Sequence, residues 1–171
     1  LYTRYTLERH KAFDKLFPDK SDSIDALQSK LAGSAIQKRI NACEQDFEAY
    51  PFNLGGMLAG GETAYIATRL LEPNGICEIG VANGVSTAYL LAATQHGELD
   101  PDIRGIDMPK FANDVREQRG KRGLSGLGGV IPDTREAGWV APRQLRAKYS
   151  YQYYVGDFNE ILPGVLNDIN S

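Results

Sequence analysis

The apolar residues of this chain follow two rhythms, and the places where one gives way to the other mark its elements. From Ile24, the positions Leu27, Leu31, Ile36, Ile40, Cys43, Phe47 and Tyr50 recur at mostly three- and four-residue steps, the interval that lines one face of a helix. Gly33 is the expected break in that helix and Pro51 its stop. An earlier helix is expected over residues 6 to 17, closed by the turn Pro18-Asp19-Lys20-Ser21-Asp22. Downstream, Gly55-Gly56 and Gly60-Gly61 bracket Met57-Leu58, and helical spacing resumes from Glu62 to Leu71.

Compact apolar runs follow at Ile76 to Ile79, Ile103 to Asp107 and Tyr151 to Val155, short enough for strands buried in a parallel sheet. Helical stretches come after the first, at Thr87 to Ala93, and after the third, at Glu160 to Ile169 around Leu162-Pro163. Alternating strands and helices predict a Rossmann-like, doubly wound parallel α/β sheet with right-handed crossovers. The chain divides accordingly into an N-terminal helical extension, 1–52, and an α/β domain, 53–171, in which 109–142 forms a long loop or lid. That segment carries Arg116, Arg119, Lys121 and Arg122 and a glycine-rich run from Gly123 to Gly129. The lid reading has the basic residues meeting an anionic substrate; the alternative is a solvated insertion.

Composition narrows the function. A chain of 171 residues with 19 basic and 22 acidic side chains has a net charge of −3, which gives no general attraction for nucleic acid or an anionic membrane. Neither a spanning helix nor a signal peptide is expected. Two cysteines, Cys77 in an expected buried strand and Cys43 in a helix, fit a reducing, cytoplasmic setting better than a disulfide framework. His10 and His96 are the only histidines, both expected at the surface, and no paired-ligand spacing for a metal is present. The amphipathic helix after Ile24 packs on its own domain in the simplest reading and leaves a homo-oligomer open. Leu1 is not an initiator methionine, so the start is expected to have been trimmed, processed or left out.

The chemistry gathers in Cys77-Glu78-Ile79-Gly80-Val81-Ala82-Asn83-Gly84-Val85-Ser86-Thr87, where an apolar run ends in an acid and turns through two glycines into a helix. Glycine at a strand end lets the backbone turn and lets a ligand approach without meeting a Cβ. A dinucleotide turn reads G-x-G-x-x-G. Here Gly80 and Gly84 stand four apart with Ala82 in the place of the second glycine, so a pyrophosphate is disfavoured. Asp107 and Asp157 end the second and third strands, at the edge where open α/β sheets bind ligands. A phosphate-free adenosine offers hydroxyl and amine donors, for which carboxylates are the natural acceptors.

These residues resemble a family. Glu78-Ile79-Gly80 with Gly84 and Ser86-Thr87, Asp107 after a second strand, and Gly156-Asp157-Phe158 with Leu162-Pro163 look like the first three motifs of class I S-adenosylmethionine-dependent methyltransferases, nearest the small-molecule O-methyltransferase-like branch. Gly138-Trp139-Val140-Ala141-Pro142 also looks like part of that branch, and the likeness spans about residues 54 to 170. It implies S-adenosyl-L-methionine as cofactor and a small-molecule methyl acceptor. It also implies cofactor contacts from Glu78, Ile79, Gly80, Val81, Gly84 and Ser86, from Asp107 and Met108 at the ribose, and from Gly156, Asp157 and Phe158 at adenine. Simpler readings exist for several: Glu78 as a buried acid, Ser86 as a helix cap, Asp107 as a turn former, and Asp157 as an N-cap. The family's next strand, which supplies the residues nearest the acceptor, is absent before Ser171, so the chain is expected to be a fragment and no catalytic base is named. Alternatives in function are an NAD-binding oxidoreductase domain and a non-catalytic Rossmann-like binding module.

Overall fold

The computed structural model of the protein describes residues 13, 15–48, 55–108, 110–111, 130–131 and 135–169. A single 3-10 turn, Pro18–Lys20, leads into helices α1 (Ser21–Ala32) and α2 (Ala35–Glu48). The expected break falls at Gly33, whose N–H is donated back to Ser29 O and closes α1. Helix α3 (Gly55–Leu71) precedes β1 (Gly75–Ile79), α4 (Val85–Gly97) and β2 (Asp102–Asp107). Two residue pairs, β3 (Lys110–Phe111) and β4 (Val130–Ile131), lie before α5 (Arg143–Lys148), β5 (Gln152–Val155) and α6 (Phe158–Ile169).

The main sheet is parallel, in the order β1-β2-β5, with Ile79 opposite Ile106 and Asp107 opposite Val155. Helices cover both faces. Helix α4 packs on α3, which in turn meets α1, while α6 lies against β1 and β2. This is the expected α/β architecture, a three-stranded parallel sheet compatible with a Rossmann-like fold.

One apolar core joins the N-terminal helices to the α/β unit: Ile24, Leu31, Ile36 and Ile40 are buried together with Tyr65, Val85, Leu91 and Ile103. Polar ties reinforce it, from Gln28 to Glu62 at 2.8 Å and from Tyr89 to Gln37 at 3.0 Å. On the other face, the buried Arg104 donates to Asp102 and to Asp168 of α6, anchoring α6 to β2.

Several elements differ from the sequence reading. Helix α3 runs straight through the glycine pairs rather than starting after them, because Gly61 is where α4 comes closest. A Cβ there would stand 2.0 Å from Tyr89 Cδ2, so the lost helix propensity of glycine is exchanged for close packing. Helix α4 extends to Gly97 and includes His96, which is half-buried with Nδ1 2.8 Å from the Tyr65 hydroxyl. Burial lowers the His96 pKa, and the charges of Lys30 and Arg69 add to that. Cys77 is only partly buried, with β1 at the edge of the sheet among the described residues, while Cys43 is buried; both are free thiols. The β3–β4 pair and α5 were not expected, since two-residue strands carry no readable period. His10, Pro51, the helix start before residue 13, and the basic and glycine-rich parts of the 109–142 segment lie outside the described residues. Among the described residues no helix is long and apolar enough to cross a membrane.

Candidate ligand site at the carboxyl edge of the sheet

The turn from β1 to α4 is built by two backbone hydrogen bonds and one carboxylate. Gly80 N–H donates to Ile106 O at 2.8 Å and Gly84 N–H to Val81 O at 2.7 Å, while Ala82 N–H donates to Asp107 Oδ2 at 2.6 Å. Gly156 N–H donates to Asp107 O at 2.9 Å, so the three strand ends are laced together. Gly80, Ala82 and Gly84 all have positive φ, at +85°, +45° and +82°. For alanine that conformation is strained, and the short bond to Asp107 holds it in place.

The two glycines of the turn have different reasons to be glycine. A Cβ on Gly80 would meet nothing within 4 Å among the described residues, which leave that position open to a ligand. A Cβ on Gly84 would stand 2.6 Å from the Gly138 Cα. The space at Gly84 is therefore filled by the chain itself: Gly138 N–H donates to Ala82 O at 2.8 Å, Val140 N–H to Asn83 O at 2.9 Å, and the Trp139 indole to Asn83 Oδ1 at 2.8 Å. Residues 138–140 thus clamp the turn from outside, which explains why a glycine-tryptophan segment so far along the chain accompanies it.

Glu78 lies inside the protein, 7 % exposed. Its Oε1 accepts from the Ser86 hydroxyl, and its Oε2 from Thr87 Oγ1 at 2.6 Å and from Tyr151 at 3.4 Å. Burial raises the Glu78 pKa against the opposing pull of these hydroxyls, and the nearby Asp107 charge raises it further. Ser86 does not cap α4: the N-cap residue is Gly84, and it makes no side-chain cap. Val81 is buried, 1 % exposed, beneath the turn.

Asp107 is half-buried at the end of β2, and Oδ2 is its only carboxylate oxygen with a partner among the described residues. Asp157 caps α6: its Oδ1 accepts the Asn159 N–H at 2.8 Å and the Asn159 amide at 2.9 Å. Gly156 precedes it at φ +151°.

The rim of this edge is apolar. Of the seven large apolar side chains left exposed among the described residues, Ile79, Met108, Val155 and Phe158, at 54, 58, 63 and 45 %, all stand at or just past a strand end. Tyr153, two residues before Val155 and opposite Gly105, has a buried hydroxyl with no partner among the described residues. Burial and the Asp107 charge push its pKa up to about 12. Val155, Tyr151 and Tyr153 were not singled out in the sequence. They read there as strand residues, and the signal that marks them is the glycine on the neighbouring strand: a Cβ on Gly105 would lie 1.9 Å from the Tyr151 hydroxyl.

Among the described residues no group of three or more His, Cys, Asp or Glu could hold a metal ion. Compared with known proteins, the chain matches no family model, no curated protein and no solved structure.

Proposed function

We propose that this α/β unit binds S-adenosylmethionine and transfers its methyl group to a small molecule, with oxygen as the favoured acceptor atom. The observation that carries the proposal is the pairing of an open glycine, Gly80, with the half-buried Asp107 carboxylate one strand away. Asp107 has an oxygen to spare for ribose hydroxyls, and Gly80 leaves room for the aminoacyl arm. Met108 and Phe158 supply exposed apolar surface beside them, as an adenine ring requires. A diphosphate has no second glycine to approach, since Ala82 takes that place and its N–H is already engaged by a carboxylate.

In this reading direct contacts fall to Gly80, Asp107, Met108 and Phe158, and the buried Tyr153 hydroxyl offers a further polar group. Glu78, Ser86 and Gly84 act one step back by shaping the turn, and Asp157 acts through α6. When bound, the cofactor supplies a methyl group open to direct displacement. The chain's contribution is alignment: an immobilised turn and a fixed carboxylate hold the donor in one pose.

Calorimetric titration with S-adenosylhomocysteine and, separately, NADH tests the proposal. Binding of the first alone is expected, with Asp107→Ala weakening it at least tenfold, the scale of one charge-assisted hydrogen bond. NADH binding, or no binding of either ligand to folded protein, would overturn it.

A further inference from the structure

A concavity lies beside Trp139 of the clamp. It is a cleft of about 400 Å³ whose lining includes Arg39, Arg135, Arg143, Glu136 and Trp139. Three guanidinium groups face one carboxylate, a local excess of positive charge on a chain whose net charge is −3.

The carboxylate does not neutralise the cleft. Glu136 is taken by Arg143 at 2.8 Å and by Arg146 at 2.6 Å, leaving Arg39 and Arg135 without an acidic partner among the described residues. Arg39 is held rigid, donating from Nε to Val140 O at 2.7 Å and from Nη2 to Trp139 O at 3.1 Å. Arg135 lies over the Trp139 ring, its guanidinium carbon 4.9 Å from the centroid. Two pre-positioned planar cations with donors to spare are the arrangement that recognises a carboxylate or phosphate through paired hydrogen bonds. Trp139 joins this cleft to the glycine turn, because the same indole donates to Asn83.

We infer that the cleft beside Trp139 binds an oxyanion, a carboxylate or a phosphate, and that this group belongs to the small-molecule substrate. The anion site stands on the arginines alone; its assignment to the substrate rests on the methyl-transfer reading. A substrate anchored here by its charge would lie against the wall that the cleft shares with the turn.

Trp139 is the only tryptophan in the chain, so intrinsic fluorescence reports on the cleft. The full chain would be titrated with inorganic phosphate and with benzoate, at ionic strength held constant with chloride. Arg135→Gln would be compared with Lys148→Gln, another exposed cation, which does not line the cleft. A saturable change is expected with at least one of the two anions, weakened about tenfold or more by Arg135→Gln and unaltered by Lys148→Gln. Whichever anion saturates names the group. No saturable response to either, or equal affinity in all three proteins, overturns the inference. The same samples titrated calorimetrically with S-adenosylhomocysteine separate the two readings: anion binding without cofactor binding leaves the cleft standing and removes only its link to methyl transfer.

Discussion

The hydroxyl of Tyr151 reaches the Glu78 carboxylate from the opposite side of β2, 3.4 Å from Oε2, through the space left by Gly105. Glycine in the middle of a central strand weakens it; here the omission of one side chain lets the tyrosine just ahead of the far strand satisfy a buried acid.

Gly105→Ala tests that arrangement. The added methyl would collide with the Tyr151 hydroxyl and lie 2.7 Å from Val81 Cγ2, so a loss of about 2–4 kcal/mol is expected from overpacking and a displaced hydrogen bond. In a Tyr151→Phe background the alanine should cost less, because one of its two obstacles is gone. Urea unfolding of the four proteins gives the coupling directly; strictly additive losses would show that the two residues act separately.

Glu78 should make stability depend on pH in an unusual direction for a carboxylate. Its folded-state pKa is raised, chiefly by burial, so the folded protein favours the protonated form. Its contribution is fully present below the unfolded value of about 4.3 and is lost as pH rises through the folded value. Glu78→Gln removes the charge and keeps the shape. It should therefore gain on the wild type as the medium is taken from about pH 4 to pH 8, measured as the difference in urea midpoints. Parallel curves would contradict the assignment. Glu78→Ala strands buried hydroxyls instead and should cost about 2–3 kcal/mol.

The two turn glycines should respond differently to the same substitution. Gly80→Ala meets no neighbour and suffers only its backbone conformation, about 1–2 kcal/mol, and in the proposed function it should impair ligand binding beyond that loss. Gly84→Ala adds a clash with the Gly138 backbone, which has no side chain to move aside. A cost above 3 kcal/mol is expected, on the order of strain plus overpacking. Thermal unfolding of both variants decides; similar losses would remove the distinction between an open and a filled glycine.

Asp157 makes a modest and clean test of capping. Asp157→Ala should lower stability by about 1 kcal/mol, and Asp157→Ser should recover most of it. If Asp157 also held a ligand, the serine variant would restore stability without restoring binding.

Much of the fold could be read from the chain because its signals are local. Ile76 to Ile79 and Ile103 to Asp107 are apolar runs closed by a turn, and Gly33 interrupts an otherwise continuous stripe; each statement needs only a few neighbouring residues. What escaped depends on contacts across the sequence. Gly61 looks like a helix breaker until Tyr89 is seen against it. Glu78 carried two readings, ligand contact and buried acid, and the Ser86, Thr87 and Tyr151 hydroxyls around its carboxylate are contacts that no local pattern shows. Asp157 carried both meanings in the sequence, and its hydrogen bonds to Asn159 show the cap. The clamp at Gly138-Trp139 was visible as a motif, but its task was not, because Ala82 and Asn83 lie more than fifty residues earlier.

The reach of Arg39 to the carbonyls of Trp139 and Val140, across about 100 positions, sets an order of events while the chain is being made. At roughly 5–20 residues per second, α2 leaves the ribosome some 5–20 seconds before its acceptors exist. Through that interval its apolar stripe can rest on α1, on Phe13 and Phe17 ahead of it and, once they emerge, on α3 and α4. The guanidinium can close onto the turn only after residues 139 and 140 have been made, so this tie between the helical half and the turn belongs to the late part of synthesis.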